Sequence, residues 1–429
     1  MRVCVLGAGV IGLTTAWALS EAGCEVAVVD RDTVPGRGAS AANGAQLSYS
    51  YVAPLASPDT LRHLPALLLD RDGPSRVRPG FDPAFLRWAA AFVRACRPSV
   101  VRETTAVQLA LAALSRAELD RLAGAAGLAF GRRVAGKLVL FRHPRSFAAA
   151  RRRVEGQAES APAGSGVEQR VLDAAGCLAL EPGLRLRATE IAGGVFTPSE
   201  EVGDCAAFCR GLAERLRGRD SVSWHMGEAA VPVLRGGALR AVRVGAREVA
   251  ADRFVLCLGA GSTGFARRAG LRLPVYPMKG YSLTLRPRTP GAALSCSVTD
   301  ADRKVVFAPL PEGDASLIRA AGIADLVGHD SALDPARLAA LRDAAHAALD
   351  VERGADSGLD GRPWAGLRPA TPDSRPIIGP SPVPGLFLNT GHGALGWTLA
   401  CGSARLAADL LLGREPRVRP GWFGLERTG

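Results

Sequence analysis

The sequence contains little lysine, and almost all of its cations are arginines. Of its 53 basic residues only Lys137, Lys279 and Lys304 are lysines. The 41 acidic residues leave a formal net charge of +12, but the arginines are scattered among acids, and there is no basic run with interleaved aromatic residues. Since nucleic-acid-binding proteins concentrate positive charge on one face, this pattern argues against a nucleic-acid partner.

Paired metal-binding and redox spacings are absent as well. The nine cysteines include no C-x-x-C pair, and the six histidines include no H-x-H or H-x-x-x-H pair. We therefore expect reduced thiols in a cytoplasmic compartment and no metal site. Cys205 and Cys209 are predicted to lie on one face of a helix as buried thiols.

No apolar run reaches the roughly 18 residues that a membrane-spanning helix requires. The stretch after Arg2 resembles a signal peptide, but Thr14, Thr15, Ser20 and Glu21 interrupt it, so we interpret it as part of a folded domain. With 429 residues, 48% of them hydrophobic, the chain is long enough for a large core and two domains. We expect a protein that is soluble or at most peripheral to a membrane.

The first thirty residues carry the pattern of a dinucleotide site. Val3–Leu6 is predicted to form a buried strand that runs into a G-x-G-x-x-G turn at Gly7, Gly9 and Gly12. A helix and a second strand, Glu25–Asp30, should follow. In such a site the glycines admit a pyrophosphate, the helix N-terminus attracts it, and the terminal acid binds ribose hydroxyls. The alternative is a packing turn, and the motif does not decide between NAD and FAD.

Two later segments combine glycine with small polar residues. The loop of residues 31–58 contains GASAANGAQLSYSYVAP, whose short side chains are suited to wrapping a polar cofactor. Near the C-terminus a strand, Leu386–Asn389, enters a turn with Gly391, Gly393 and Gly396, followed by a long helix. This arrangement predicts a second helix N-terminus that is available to electron-rich ligand atoms.

The rest of the chain alternates predicted helices, strands and loops. Helices are predicted at 85–96, 105–126, 147–159, 205–216 and 334–349, with Asp204 as an N-cap for the fourth. Strands are predicted at 137–141, 229–234, 241–244, 248–250, 254–262, 274–285, 304–309 and 317–321. Residues 160–166 are predicted to form a solvated loop, and residues 366–379 form a glycine-rich, polar segment.

Four blocks in this order, SAANGAQLS, VYPMKGYSLTL, AGLRPATPD and LNTGHGALGWTLACGS, together with EVGDC, resemble the small-subunit family of bacterial D-amino acid dehydrogenases. That family lies within the D-amino acid oxidase and glycine oxidase superfamily. The resemblance implies an α/β (α+β overall) fold, in which a substrate domain with a mixed, largely antiparallel sheet interrupts a Rossmann-like FAD-binding domain. The FAD domain would comprise residues 1–60, 195–265 and 360–429, and the substrate domain 61–194 and 266–359.

The resemblance also implies FAD rather than NAD, bound noncovalently. The first glycine turn would hold the pyrophosphate, Asp30 the adenosine ribose, and the C-terminal turn would direct its helix dipole at the flavin. The residues expected to contact FAD are Gly7, Gly9, Ile11, Gly12, Asp30, Arg31, Ser40, Asn43, Gly44, Gln46, Val231, Gly259, Gly391, Gly393, Leu395, Gly396, Trp397 and Thr398.

For catalysis, the resemblance implies hydride transfer from the substrate Cα to flavin N5, which leaves an imine that hydrolyses to a 2-oxo acid and ammonia. Arg368 matches the arginine that binds the substrate carboxylate, for which a planar guanidinium is well suited; a structural salt bridge is the alternative. His392 is expected near the flavin as a hydrogen-bonding wall. Lys279 and Tyr281 either face the pocket or serve ordinary strand packing.

The sequence departs from the superfamily at the strand RKVVFAP, which lacks the tyrosine that oxidases place beside the carboxylate-binding arginine. Arg303 or Lys304 would substitute for it, or the carboxylate is held differently. Two alternatives therefore stay open: an enzyme for a cyclic or N-substituted amino acid, such as a hydroxy-D-proline or a biosynthetic imino acid, and a flavin subunit that needs partner proteins. The expected partners are an amino acid substrate, a quinone or carrier protein as electron acceptor, and a peripheral contact with the inner face of the cell membrane.

Overall fold

The computed structural model describes residues 1–62, 73, 75–77, 82–160, 168–312, 315–352 and 362–428. Its helices are α1 (Val10–Glu21), α2 (Pro58–Arg62), α3 (Pro83–Ala95), α4 (Pro98–Ala126), α5 (Pro144–Ser160), α6 (Ala174–Leu180), α7 (Cys205–Arg217), α8 (Ser262–Arg268), α9 (Pro335–Ala348) and α10 (Gly396–Leu411).

Twenty-one strands are described, of which the first half are β1 (Arg2–Leu6), β2 (Glu25–Asp30), β3 (Gln46–Leu47), β4 (Ser75–Val77), β5 (Arg133–Val134), β6 (Lys137–Phe141), β7 (Arg170–Leu172), β8 (Gly193–Thr197), β9 (Glu201–Val202) and β10 (Val222–Met226). The second half are β11 (Val231–Arg235), β12 (Ala238–Val244), β13 (Arg247–Ala250), β14 (Arg253–Leu256), β15 (Tyr276–Leu285), β16 (Ser297–Asp300), β17 (Val305–Glu312), β18 (Ala315–Leu326), β19 (Trp364–Ala370), β20 (Ile377–Pro380) and β21 (Leu386–Thr390).

A six-stranded sheet has the order β10-β2-β1-β14-β21-β20, and all its neighbours are parallel except β20 and β21. The central strands are mainly apolar and are buried except at their ends, as is typical of strands covered on both faces. Helices α1, α4 and α10 pack together beside it, with their buried apolar residues in one core cluster. The sheet brings the ends of β1, β2, β14 and β21 to one edge, where ligands collect in open α/β folds.

A larger sheet has the order β19-β15-β18-β17-β16-β6-β8-β7, and β4 adds to β18. Its pairings are antiparallel except β16 with β6 and β18 with β4. The predicted mixed, largely antiparallel sheet is therefore confirmed. Two small antiparallel sheets, β11-β12-β13 and β3-β9-β5, complete the fold.

Most predicted elements occur close to their predicted positions, and strands 25–30 and 137–141 have the predicted bounds. Asp204 caps α7, since its carboxylate accepts the N–H groups of Ala206 and Ala207 at 2.8 and 3.2 Å. Cys205 and Cys209 are both buried on that helix. The predicted loop 160–166 lies almost entirely outside the described residues.

One strand prediction is wrong, and strands β19 and β20 were not predicted. The strand predicted at 254–262 ends at Leu256, because Gly259 takes φ +55° and the chain turns into a short 3₁₀ segment and α8. Residues 366–379, predicted only as a glycine-rich, polar segment, include most of β19 and most of β20. Strand β19 forms because β15 supplies a hydrogen-bonding partner, and no local pattern reveals that partner.

The division into two domains stays a prediction. The six strands of the first sheet fall within the ranges predicted for FAD binding, whereas β8 and β19, at the margins of those ranges, join the large sheet. None of the described helices is both long enough and apolar enough to span a membrane.

Candidate functional site

The first glycine turn joins β1 to α1 through close backbone contacts. Gly7 has φ +112°, and a Cβ there would lie 2.6 Å from the carbonyl oxygen of Cys257 on the neighbouring chain segment. A Cβ on Gly12 would collide with the carbonyl oxygen of Gly7. At Gly9 the nearest atom to such a Cβ is Ser40 Oγ, at 3.3 Å. The turn therefore leaves the backbone bare at the N-terminus of α1, as a pyrophosphate requires.

Two predicted FAD contacts close this turn with their side chains. Ser40 Oγ accepts the N–H of Val10 at 3.0 Å, so its hydroxyl lies over the first turn of α1. Asp30, at the end of β2, accepts the N–H of Ala8 at 2.6 Å through Oδ2 and that of Asp32 at 2.9 Å through Oδ1. Each carboxylate oxygen keeps a second lone pair that can accept a ribose hydroxyl.

The loop that leads into β3 lies between the two large sheets. Asn43 Oδ1 accepts the N–H of Ala45 at 3.0 Å, and this turn holds Ala45 at φ +55°. Gly44 faces the large sheet, since a Cβ there would lie 3.3 Å from a methyl of Val306. The side-chain Nε2 of Gln46 is buried and has no hydrogen-bond partner among the described residues. A buried donor without an acceptor is costly, so this atom marks a position where a ligand acceptor fits.

The C-terminal turn depends on glycine on both sides of His392. Gly391 has φ +81° and Gly393 φ +53°, which favour glycine over any other residue. His392 is almost fully buried, and its Nε2 lies 2.9 Å from Ser403 Oγ on α10. Burial lowers the pKa of His392 to about 3, so the imidazole is neutral at physiological pH. It is suited to hydrogen bonding rather than to the role of a base.

Residues at the start of α10 connect this turn to the first loop. Thr398 Oγ1 accepts the backbone N–H of Ser48 at 3.2 Å. Trp397 is directed into the core, where its Nε1 donates to the carbonyl of Gly203 at 3.1 Å and its ring packs edge-on against Phe130. Leu395 and Gly396 are half-buried at the N-terminus of the helix.

The other predicted contacts lie around the same edge. Ile11 is half-buried in the first turn of α1, and Arg31 is exposed directly after Asp30. Gly259 opens the 3₁₀ segment after β14, where its carbonyl is 3.5 Å from Thr390 Oγ1. Val231 is half-buried at the start of β11. The bare glycine turn, the N-terminus of α1 and the Gln46 Nε2, which has no partner among the described residues, together fit FAD.

Arg368 lies on β19 with its guanidinium over the backbone of Gly280 on β15. A Cβ on Gly280 would collide with that guanidinium. Nη1 of Arg368 donates to the carbonyl of Ile323 at 3.4 Å. Ile323 lies at an irregularity in the pairing of β15 with β18 and has φ +59°, which is strained for a β-branched residue. Desolvation lowers the pKa of Arg368 from its usual value.

Lys279 and Tyr281 flank Gly280 on β15 and therefore point to the opposite face of the strand. The Tyr281 hydroxyl donates to Asp325 Oδ2 at 3.1 Å, and Asp325 is also paired with Arg337 at 2.6 Å. Burial, together with Asp325, raises the pKa of Tyr281. Lys279 Nζ lies 3.7 Å from Asp330 Oδ1. The structure thus groups Lys279 and Tyr281 with a buried ionic network and separates them from the Arg368 guanidinium.

Three buried charged residues near the predicted site were not identified from the sequence. Arg319 on β18 donates to the carbonyl of Asn43 at 3.4 Å, and its Nε has no partner in the described part of the chain. Lys137 donates a hydrogen bond to the side chain of Gln46, and Glu200 accepts one from the backbone N–H of Ser50. The rarity of lysine was an available signal for Lys137, whereas one arginine among so many gives none.

Comparison with known proteins shows the family and the fold of the chain. A family model described as DAO, FAD dependent oxidoreductase, matches residues 2–410. The chain is 43% identical to D-amino acid dehydrogenase 2 of Ralstonia nicotianae over the whole of both chains. It is 45% identical to D-amino acid dehydrogenase 2 of Pseudomonas aeruginosa, over 97% of this chain and 96% of the relative. The structure of glycine oxidase from Geobacillus kaustophilus superposes with a TM-score of 0.72 at 20% identity, covering 99% and 98% of the two chains.

Proposed function

The chain belongs to the DAO family of FAD-dependent oxidoreductases, and we propose that it is a dehydrogenase of D-amino acids. The observation that carries this proposal is Arg368, a partly buried arginine held at the predicted substrate site by contacts on two neighbouring strands. Relatives with 39% to 45% identity, matched over almost their full length, bear the name D-amino acid dehydrogenase, which supports the same substrate class.

We assign substrate binding to the guanidinium of Arg368. Among the described residues it donates only to the Ile323 carbonyl, so its remaining N–H groups can bind both oxygens of a carboxylate. Packing over Gly280 fixes its plane, which limits the entropy lost on binding. Lys279, Tyr281 and Asp325 support the strand from the opposite face.

The reaction that we propose removes two electrons and a proton from the Cα–H bond and a proton from the amine, which leaves an imine that water hydrolyses to a 2-oxo acid and ammonia. The chemistry that FAD supplies when bound is acceptance of the hydride at N5. The residues expected to hold it are the predicted contacts described above. The N-terminus of α10 would stabilise negative charge that develops nearby, and neutral His392 would hold that turn through Ser403.

Electrons would then pass to a quinone or a carrier protein. Reaction of the reduced protein with oxygen, measured beside reaction with a soluble quinone, separates a dehydrogenase from an oxidase. A dehydrogenase reoxidises rapidly only with the quinone.

The substrate class is tested by adding D- and L-amino acid pools anaerobically to the purified protein while its visible spectrum is recorded. Bleaching of the flavin band by the D-pool, with release of a 2-oxo acid and ammonia, is expected.

Arg368→Lys should raise KM about 10- to 100-fold, because the bidentate contact is lost, while FAD stays bound. The exposed Arg243→Met is the matched control and should leave KM unchanged. Bleaching by the L-pool alone, or an unchanged KM in Arg368→Lys, would contradict the proposal.

A further inference from the structure

Lys137 is a buried lysine that contacts the loop predicted to hold FAD. It begins β6, and only 6% of it is exposed. Its Nζ donates to Gln46 Oε1 and to Ser48 Oγ, both at 3.0 Å, and lies 4.5 Å from the centre of the Tyr51 ring. The ammonium group thus has two oxygen acceptors and one aromatic ring at cation–π distance.

The environment keeps this amine charged at neutral pH despite its burial. Desolvation lowers the pKa of Lys137 to about 8, and the nearby Glu200 carboxylate opposes that shift. Glu200 is itself buried; it accepts the N–H of Ser50 at 2.9 Å through Oε1, and burial raises its pKa. A buried lysine costs folding free energy, so its position calls for a functional reason.

The ammonium determines the orientation of the Gln46 amide. Because an ammonium can only donate hydrogen bonds, the Gln46 oxygen must face Lys137 and the NH₂ group must face away from it. The pairing of β3 with β9 fixes the backbone of Gln46, and the hydrogen bond from Lys137 holds its side-chain oxygen. The NH₂ group is buried and finds no acceptor in the described ranges.

The same lysine is linked to the second turn of the predicted site. Ser48, whose hydroxyl accepts from Lys137, donates its backbone N–H to Thr398 Oγ1 at the start of α10. The Lys137 contacts therefore join the loop of residues 43–48 to the C-terminal glycine turn. Both segments are predicted to lie against the flavin.

We propose that Lys137 is a positioning residue for FAD, which acts by holding the Gln46 amide so that its NH₂ group donates to an acceptor oxygen or nitrogen of the flavin ring. A fixed donor stabilises the reduced cofactor more than the oxidised one, since electron density on those acceptors rises on reduction. This inference rests on FAD binding and is independent of the substrate that is oxidised.

A double-mutant cycle on the reduction potential of bound FAD tests the inference, with Lys137→Met, Gln46→Leu and the double variant titrated in the absence of substrate. Lys137→Met should weaken binding of reduced relative to oxidised FAD about tenfold, which corresponds to about 30 mV for a two-electron couple. If Lys137 acts through Gln46, the double variant should match Gln46→Leu. Arg170→Met, at an exposed position of the same sheet, is the control and should leave the potential unchanged.

Apoprotein stability separates this role from a structural one. Lys137→Met should unfold no more readily than the wild type, because it removes a buried amine, and Lys137→Gln should recover part of the potential, since its amide can still donate to Gln46. An unchanged potential in Lys137→Met, or additive effects in the double variant, would overturn the inference. Failure of the wild-type protein to bind FAD would refute the cofactor assignment instead, and a wild type that binds FAD but ignores D-amino acids would refute only the proposed substrate.

Discussion

At the scale of single residues, the candidate substrate site depends on one space that only glycine leaves open. The Arg368 guanidinium occupies the position of the missing Gly280 side chain and reaches the carbonyl of Ile323. Ile323, which accepts this hydrogen bond, has a positive φ that β-branched residues rarely adopt. The motif GLRP identified Arg368 from the sequence, whereas the reason for glycine in MKGYS became clear only from the neighbouring strand.

Gly280→Ala should therefore displace the Arg368 guanidinium. We expect KM to rise about 10- to 100-fold with FAD binding retained, since a misplaced carboxylate-binding group loses a charge-assisted hydrogen bond. Steady-state kinetics of Gly280→Ala, Arg368→Lys and the double variant check this expectation. If both changes remove the same contact, the double variant should be little worse than Arg368→Lys. Multiplicative effects on KM would show that Gly280 acts elsewhere.

At the scale of elements, the turn between β1 and α1 packs so closely against its surroundings that Gly7 and Gly12 leave no room for a side chain. Gly12 lies in the first turn of α1 against the carbonyl of Gly7, and Gly7 lies against Cys257 after β14. The bounds of β2 and the N-terminus of α1 followed from the sequence, because glycine spacing and strand periodicity are local signals.

Gly12→Ala should push α1 away from the turn. We expect a loss of about 1–3 kcal/mol of folding free energy, typical of overpacking, and weaker FAD binding. Gly264→Ala in α8 is the matched control: a Cβ there meets nothing within 4 Å, so it should stabilise the protein by about 0.5–1 kcal/mol. Denaturant unfolding and FAD titration of both variants measure the difference. Equal stability of the two variants would argue against a tight turn.

At the scale of the whole molecule, the predicted FAD contacts come from distant parts of the chain. The first loop, the segment after β14 and the N-terminus of α10 converge only when the six-stranded sheet is complete. A ligand that needs all of them binds the folded state alone, and it must therefore stabilise that state.

Removal of FAD should consequently lower the thermal midpoint, and added FAD should raise it in proportion to the logarithm of its concentration. At a free concentration 100 times its Kd, FAD should add about 2.7 kcal/mol to the free energy of unfolding. Thermal unfolding of the apoprotein across a range of FAD concentrations measures this effect. Riboflavin, which lacks the pyrophosphate and ribose that Gly7, Gly12 and Asp30 are predicted to bind, is the control. A shift of equal size with riboflavin would contradict a role for the first glycine turn.

The sequence by itself determined the local features of this protein. The first glycine turn, most helices and the N-cap at Asp204 followed from glycine spacing and apolar periodicity, which are local signals. The family followed from the resemblance of short sequence blocks. Tertiary structure decided what depends on distant partners. Strand β19 forms by pairing with β15, and the Arg368 guanidinium explains why residue 280 is a glycine. Lys137 contacts Gln46, which lies 91 residues away in the chain. Lys137 and the Gln46 Nε2 are buried only because distant segments pack around them. No single segment of the sequence therefore reveals that these polar groups are buried.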